Sequence, residues 1–251
     1  MFTSKKSYCY LSIILVFIVF FQYGCKKNYV EINKSTLTMG DYNNVNTIYY
    51  NDTVVGIYIQ PQHYQIDIDN NGIYDIEFEC TYAGSPGTGP KYGSSVKSLS
   101  PNVAIFGYHN TDTIFIHKDT SVVPDTISIK IYHKTTYTCS RMSPNDSINS
   151  ITPSYKTTPL NNQDNIQLND TYHSTSIKLQ DTETGSIIYS GGNIDTTFYS
   201  VVHFKNNCFS FPMNQPKYIG VKLINQNKLG WIKINLLDRH KIYIEESAIQ
   251  K

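Results

Sequence analysis

The 251-residue chain is predicted to be all-β, an antiparallel, jelly-roll-like β-sandwich of about twelve short strands. Three observations predict it. Tyrosine, at 21 residues, joins abundant Ile and Thr, the residue types that fit a pleated, half-buried surface. Short alternating or apolar runs recur between clusters of Asn, Gly and Pro, which supply the backbone conformations of turns. No amphipathic helical period follows the apolar segment at the N-terminus.

Residues 1–24 read as a signal peptide whose helix precedes the sandwich. Lys5 and Lys6 form its basic start, and the run from Leu11 to Phe21 its apolar region. As a helix that run spans only about 16 Å, short of the roughly 20 residues a bilayer crossing needs. It closes on Tyr23-Gly24-Cys25. A small residue before cysteine resembles the lipobox of bacterial lipoproteins, although Gln22 stands where that motif carries Leu or another aliphatic. The resemblance implies acylation at Cys25, palmitate included, and a bilayer as partner. Each buried methylene would contribute about 0.8 kcal/mol. No acidic residue directly follows Cys25, which points to the outer membrane of a cell envelope. Residues 25–45 then read as a tether and 46–251 as a single sandwich domain.

The expected strands follow in order. "TIYYNDTVVGIYI", "HYQIDID", "IYDIEFEC", "NVAIFGY" and "TIFIHK" lie between residues 47 and 118. "TISIKIYHKTTYTC" follows, with Ile127, Ile129 and Ile131 on one face. "TSIKLQD", "GSIIYS" and "TFYSVVHF" come next. Residues 82–95 and 140–165, rich in Gly, Pro, Ser and Asn, read as loops. Near the C-terminus, "YIGVKLI", "GWIKINLL" and "KIYIEESAI" read as a three-stranded meander joined by polar turns. Gly230 there suits a close backbone approach. Trp231, the one tryptophan, is a core residue on this pattern and a stacking platform for a sugar on the alternative.

Composition excludes some functions. A net charge of +1 offers no basic footprint for nucleic acid. Cys80, Cys139 and Cys208 allow one disulfide with the pairing open, and no C-x-x-C pair suggests zinc or thioredoxin-type chemistry. No nucleophile elbow or zincin helix motif occurs, and the seven histidines are scattered. A non-enzymatic role is expected.

The stretch "QIDIDNNGIYDIEFEC" (65–80) carries the strongest chemical pattern. Alternation places Asp67 and Asp69 on one strand face, and Asp75, Glu77 and Glu79 on one face after the Asn-Asn-Gly turn. Like charges across a strand pair repel, so a cation is expected among them. D-x-D-x-N-G-x-x-D resembles the first nine positions of an EF-hand calcium loop. The resemblance implies Asp67, Asp69, Asn71, the Ile73 carbonyl and Asp75 as ligands of a structural Ca2+. Phe78 replaces the bidentate Glu at the twelfth position, and Glu77 or a water would complete the set. Strands rather than helices flank the loop, so it looks like the β-flanked acidic loops of secreted bacterial proteins.

Together, the acidic strand pair and the Tyr-Ile-Gly…Gly-Trp-Ile run resemble β-rich lipoproteins of bacterial envelopes. A membrane-anchored binding or scaffolding protein is the implied class, with a glycan or an envelope protein as partner. A glycan-binding sandwich, with exposed tyrosines or Trp231 stacking on sugar faces, is the alternative, and a carboxylate-dependent hydrolase comes behind both.

Overall fold

A computed structural model describes residues 35–85, 89–124, 129–181, 184–192, 196–205 and 211–251. The expected signal helix, Cys25 and Cys208 lie outside the described residues. The sandwich belongs to one compact unit, Lys34–Lys251. Among the described residues there is no helix, and no sheet closes into a barrel.

Three sheets build it. The smallest pairs β1 (Thr36–Thr38) with β9 (Asn165–Gln167). A four-stranded antiparallel sheet runs β11 (Ile177–Asp181), β5 (Gly89–Ser98), β4 (Ile76–Ser85), β3 (Gln62–Ile66). The ten-stranded sheet turns on β6 (Val103–Pro124). The first residues of β6 pair with β14 (Pro216–Leu223), which leads through β15 (Lys228–Asp238) and β16 (Lys241–Gln250) to β2 (Val45–Val55). The rest of β6 pairs with β7 (Ile129–Thr138) and β8 (Ser147–Thr157), and β10 (Tyr172–His173) joins at its start. Beyond β7 lie β13 (Thr196–Lys205) and β12 (Thr184–Gly192), with β13 parallel to β7.

The meander β14–β15–β16 is buried on both faces. Ile219, Val221, Ile232, Ile234, Ile242 and Ile244 meet Ile66, Ile76, Phe78, Val96 and Ile177 of the four-stranded sheet. On the opposite face Tyr218, Leu229, Trp231 and Ala248 meet Leu37, Met39 and Ile166. A strand covered twice reads as a near-continuous apolar run, which is what "LGWIKINLL" is. A bulge at Glu245 shifts the register opposite Lys233 and Ile234. One extra residue exchanges the faces, so Ile244 and Ile249 share the first core although five positions apart.

Glycine lets the sheets close. A Cβ at Gly230 would stand 2.7 Å from the Ala248 carbonyl oxygen and 2.8 Å from Ile249 Cδ1. Gly220 meets Phe106 and Ile166 in the same way.

Several expectations change. Residues 35–45, expected within the tether, are part of the fold, because Leu37 and Met39 cover the Trp231 face. Residues 82–95, expected as a loop, are largely the arms of the β4–β5 hairpin, where Tyr82 stacks on Tyr92 with ring centroids 4.8 Å apart. Cross-strand aromatic packing there outweighs the Gly and Ser content. Residues 147–157 of the second expected loop form β8, held against β6. The two runs at 102–108 and 113–118 are one strand. Cys80 is free and buried, and Cys139 is disulfide-bonded.

Gly230→Ala is expected to lower the unfolding free energy by about 1–3 kcal/mol through overpacking. Urea denaturation with an unchanged m-value is the check, and Gly72→Ala, with open space around it, makes a comparison for strain alone.

Candidate cation site

The acidic residues sit where β3 hands the chain to β4. The register pairs Ile66 with Ile76, so the connection is the nine-residue loop 67–75 and not a tight Asn-Gly turn. Within it Asp67 acts as the organiser. Its carboxylate accepts the N–H of Asn71 at 3.1 Å and of Gly72 at 2.6 Å, and Asn71 Oδ1 accepts the N–H of Ile73 at 2.8 Å. Asn70 and Gly72 take φ of 57° and 87°. Asn tolerates that left-handed region and Gly enters it freely, which is why Asn-Asn-Gly folds here.

Asp67, Asp69 and Asp75 converge. One carboxylate oxygen from each lies within 4.8 Å of the others, and the group could hold a metal ion. Asp75 is only 5 % exposed, with Oδ2 accepting the Ile68 N–H at 3.0 Å. Asp69 accepts the Gln226 amide at 2.6 Å on Oδ2, while its Oδ1 is buried without a hydrogen-bond partner. Burial pushes the Asp75 carboxyl up to about 6. The charges of Asp69 and Asp67 add to that push, and the Ile68 and Asp69 N–H groups offset part of it. The donor set is all oxygen, which suits a hard cation of the calcium type rather than zinc or copper. Each oxygen engaged by the backbone keeps a further lone pair for a cation.

Glu77 is placed elsewhere. It belongs to a second group with His63 and Glu79 on the outer face of β3–β4, where Lys97 Nζ stands 2.7 Å from its Oε1. Gln65 donates at 2.7 Å and His63 Nδ1 lies 3.1 Å away. Burial works against its charge, but the Lys97, Gln65 and His63 contacts outweigh it and hold the carboxyl below its usual range. Strand alternation carries Glu77 away from a loop that leaves the strand geometry after Ile66. The expected five-carboxylate face is thus two separate clusters.

Trp231 offers no sugar platform, because it is 0 % exposed. The edges of Tyr42 and Tyr218 enclose its ring at 5.8 and 5.2 Å.

A cavity of about 250 Å³ opens beside the loop, lined by Asp69, Asn71, Asp75, Ser100, Asn102 and Gln226 over an apolar floor that includes Val103 and Leu223. Its walls come from three connections. The acidic loop is joined to the β5–β6 turn by Leu99 N–H donating to the Asp75 carbonyl at 2.8 Å. That turn is joined to the β14–β15 turn by Ile224 N–H donating to the Asn102 carbonyl at 2.7 Å. Sequence reasoning missed Ser100, Asn102 and Gln226, because polar residues in turns look alike until distant turns are brought together.

Comparison with protein families, with curated proteins and with solved structures finds no match for this chain. The sandwich class and the acidic cluster are what the structure itself provides.

The shift at Asp75 fixes a sign. Its folded-state carboxyl binds a proton more tightly than the unfolded chain does, so that stability is complete below pH ~4 and is lost as pH rises through about 6. At about 1.4 kcal/mol per pKa unit the loss is at most about 3 kcal/mol. In calcium-free buffer, Asp75→Asn is therefore expected to flatten the fall in stability between pH 4 and 6.5 and to be the more stable chain at pH 7.5. Urea melts across that pH range test it.

Proposed function

We infer that the protein is a non-enzymatic lipoprotein of a cell envelope, lipidated at Cys25 and resident at the outer membrane. Its sandwich serves as a binding or scaffolding body whose acidic end is closed by Ca2+. One observation carries the calcium reading: the buried Asp75 stands beside Asp67 and Asp69, and a second buried oxygen, Asp69 Oδ1, has no partner. A carboxylate buried among carboxylates is costly unless a cation neutralises it. Asp67, Asp69 and Asp75 would hold the ion, and the Ile73 carbonyl, Asn71 or water would fill further places in its six- to eight-fold shell. The ion would supply charge neutralisation and loop rigidity. The lipid reading rests on Lys5, Lys6, the Leu11–Phe21 run and Gly24-Cys25. The glycan alternative loses Trp231 as a platform, since that ring is enclosed by protein, and rests on exposed tyrosines such as Tyr49 and Tyr74.

Thermal melts of residues 26–251 test the ion. Calcium at about a hundredfold over its dissociation constant is expected to raise the midpoint by roughly 5–10 °C over EDTA. Asp67→Asn with Asp69→Asn removes the rise. An identical midpoint in calcium and EDTA would sink the reading. For the anchor, mass spectrometry of the mature protein is expected to show an acylated amino-terminal Cys25, and Cys25→Ser to release the protein from membranes.

A further inference from the structure

The end of the sandwich that carries the acidic loop has a second property. Each of the three connections meeting there exposes a large apolar side chain. Ile73 and Tyr74 in the acidic loop are 66 % and 57 % exposed, Ile224 in the β14–β15 turn 45 %, and Leu99 in the β5–β6 turn 37 %. Single exposed apolar residues are ordinary. Apolar tips on three hydrogen-bonded loops around one charged centre are an arrangement suited to a contact surface.

The chain also enters the fold at this end. The Ser35 carbonyl accepts the Leu168 N–H at 2.9 Å, and the Leu168 carbonyl in turn accepts Lys222 Nζ at 2.8 Å, two residues before Ile224. Ser35 lies ten positions after Cys25, a reach of at most about 35 Å when fully extended. Lys26, Lys27 and Lys34 outnumber Glu31 in that stretch and would favour an anionic surface.

We propose that this end rests on the lipid surface that carries the anchor, with Ile73, Tyr74, Leu99 and Ile224 seated among the headgroups and acyl boundary. Tyrosine suits that depth, having an apolar body and a polar tip. The proposal builds on the reading of Cys25 and the calcium loop, and it gives the ion a further role. Three bare carboxylates repel anionic lipid phosphates. A bound divalent cation cuts their net charge from −3 to −1 and can accept a phosphate oxygen into its unfilled coordination places. The acidic loop would thus favour contact with the membrane only when loaded.

The opposite end supplies a control. β2 runs from Val45 beside Gln250 to Val55 beside Lys241, so the connection after Val55 lies at the far end of the meander. It too exposes apolar side chains, Ile57 and Ile59. The experiment is co-sedimentation of unlipidated residues 26–251 with vesicles of phosphatidylethanolamine and phosphatidylglycerol, in calcium and in EDTA. Wild type is expected to bind in calcium. Ile73→Asp with Ile224→Asp is expected to bind about tenfold more weakly, while Ile57→Asp with Ile59→Asp binds as wild type. Equal binding by the two double variants, or wild type left in the supernatant at saturating lipid, overturns the proposal. Binding that needs Ile73 and Ile224 but persists in EDTA upholds the face and removes calcium from it. An acylated Cys25 on a chain whose loops ignore vesicles upholds the anchor and removes the face. Ile73→Trp gives a second readout independent of affinity. Its emission, read as the difference from wild type, should be quenched by brominated lipid, whereas that of buried Trp231 is not, and an unquenched difference counts against the proposal.

Discussion

Asp75 makes three bonds that tie the acidic loop to the end of β3 and to the β5–β6 turn. Its N–H donates to the Ile66 carbonyl at 2.8 Å, its carbonyl accepts the Leu99 N–H, and its carboxylate accepts the Ile68 N–H. These bonds fix the end of β3, the start of β4 and the turn into β6 against one another. To make them the carboxylate is drawn into the protein beside Asp67 and Asp69. The fold therefore demands a buried negative charge at a point where two more already stand. Protonation or a cation can answer that demand, and burial pushes the carboxyl up to about 6.

The rest of the molecule is suited to holding such an end in place. β15 is covered on both faces, so the strands leading to the acidic end are anchored in two cores at once. Loops on a rigid double-faced scaffold keep their geometry while remaining free to differ in sequence, and sites are commonly placed on such loops. The Glu245 bulge belongs to the same design. It turns Glu246 toward the Trp231 face, where Tyr42 donates to it at 2.7 Å, and it returns Ile249 to the first core.

Much of this was legible from residues alone. The C-terminal meander stood out because its apolar runs are long and its turns short and polar. The same continuity that marked Trp231 as core material follows from burial on both faces. The acidic loop was legible as a cluster, since Asn-Asn-Gly and the flanking aspartates sit close in sequence. Glu77 was not separable from it. Period-two alternation assigns a face only while the strand lasts, and the strand geometry stops at Ile66. The Tyr82–Tyr92 hairpin was hidden because glycine and serine signal loops, whereas its stability comes from a cross-strand stack. Leu37 and Met39 sit in a polar segment, where a single alternating pair allows a short strand and does not show that it packs on the core. The pocket wall was invisible, because Asn102 and Gln226 approach Asp69 only once three turns meet.

The central claim is that Asp67, Asp69 and Asp75 clasp a calcium ion. Equilibrium dialysis of residues 26–251 against radioactive calcium at neutral pH measures it directly. One ion retained per chain, and none when Asp69 and Asp75 are both Asn, is the predicted result. A wild-type chain that retains no calcium at millimolar concentration would contradict it.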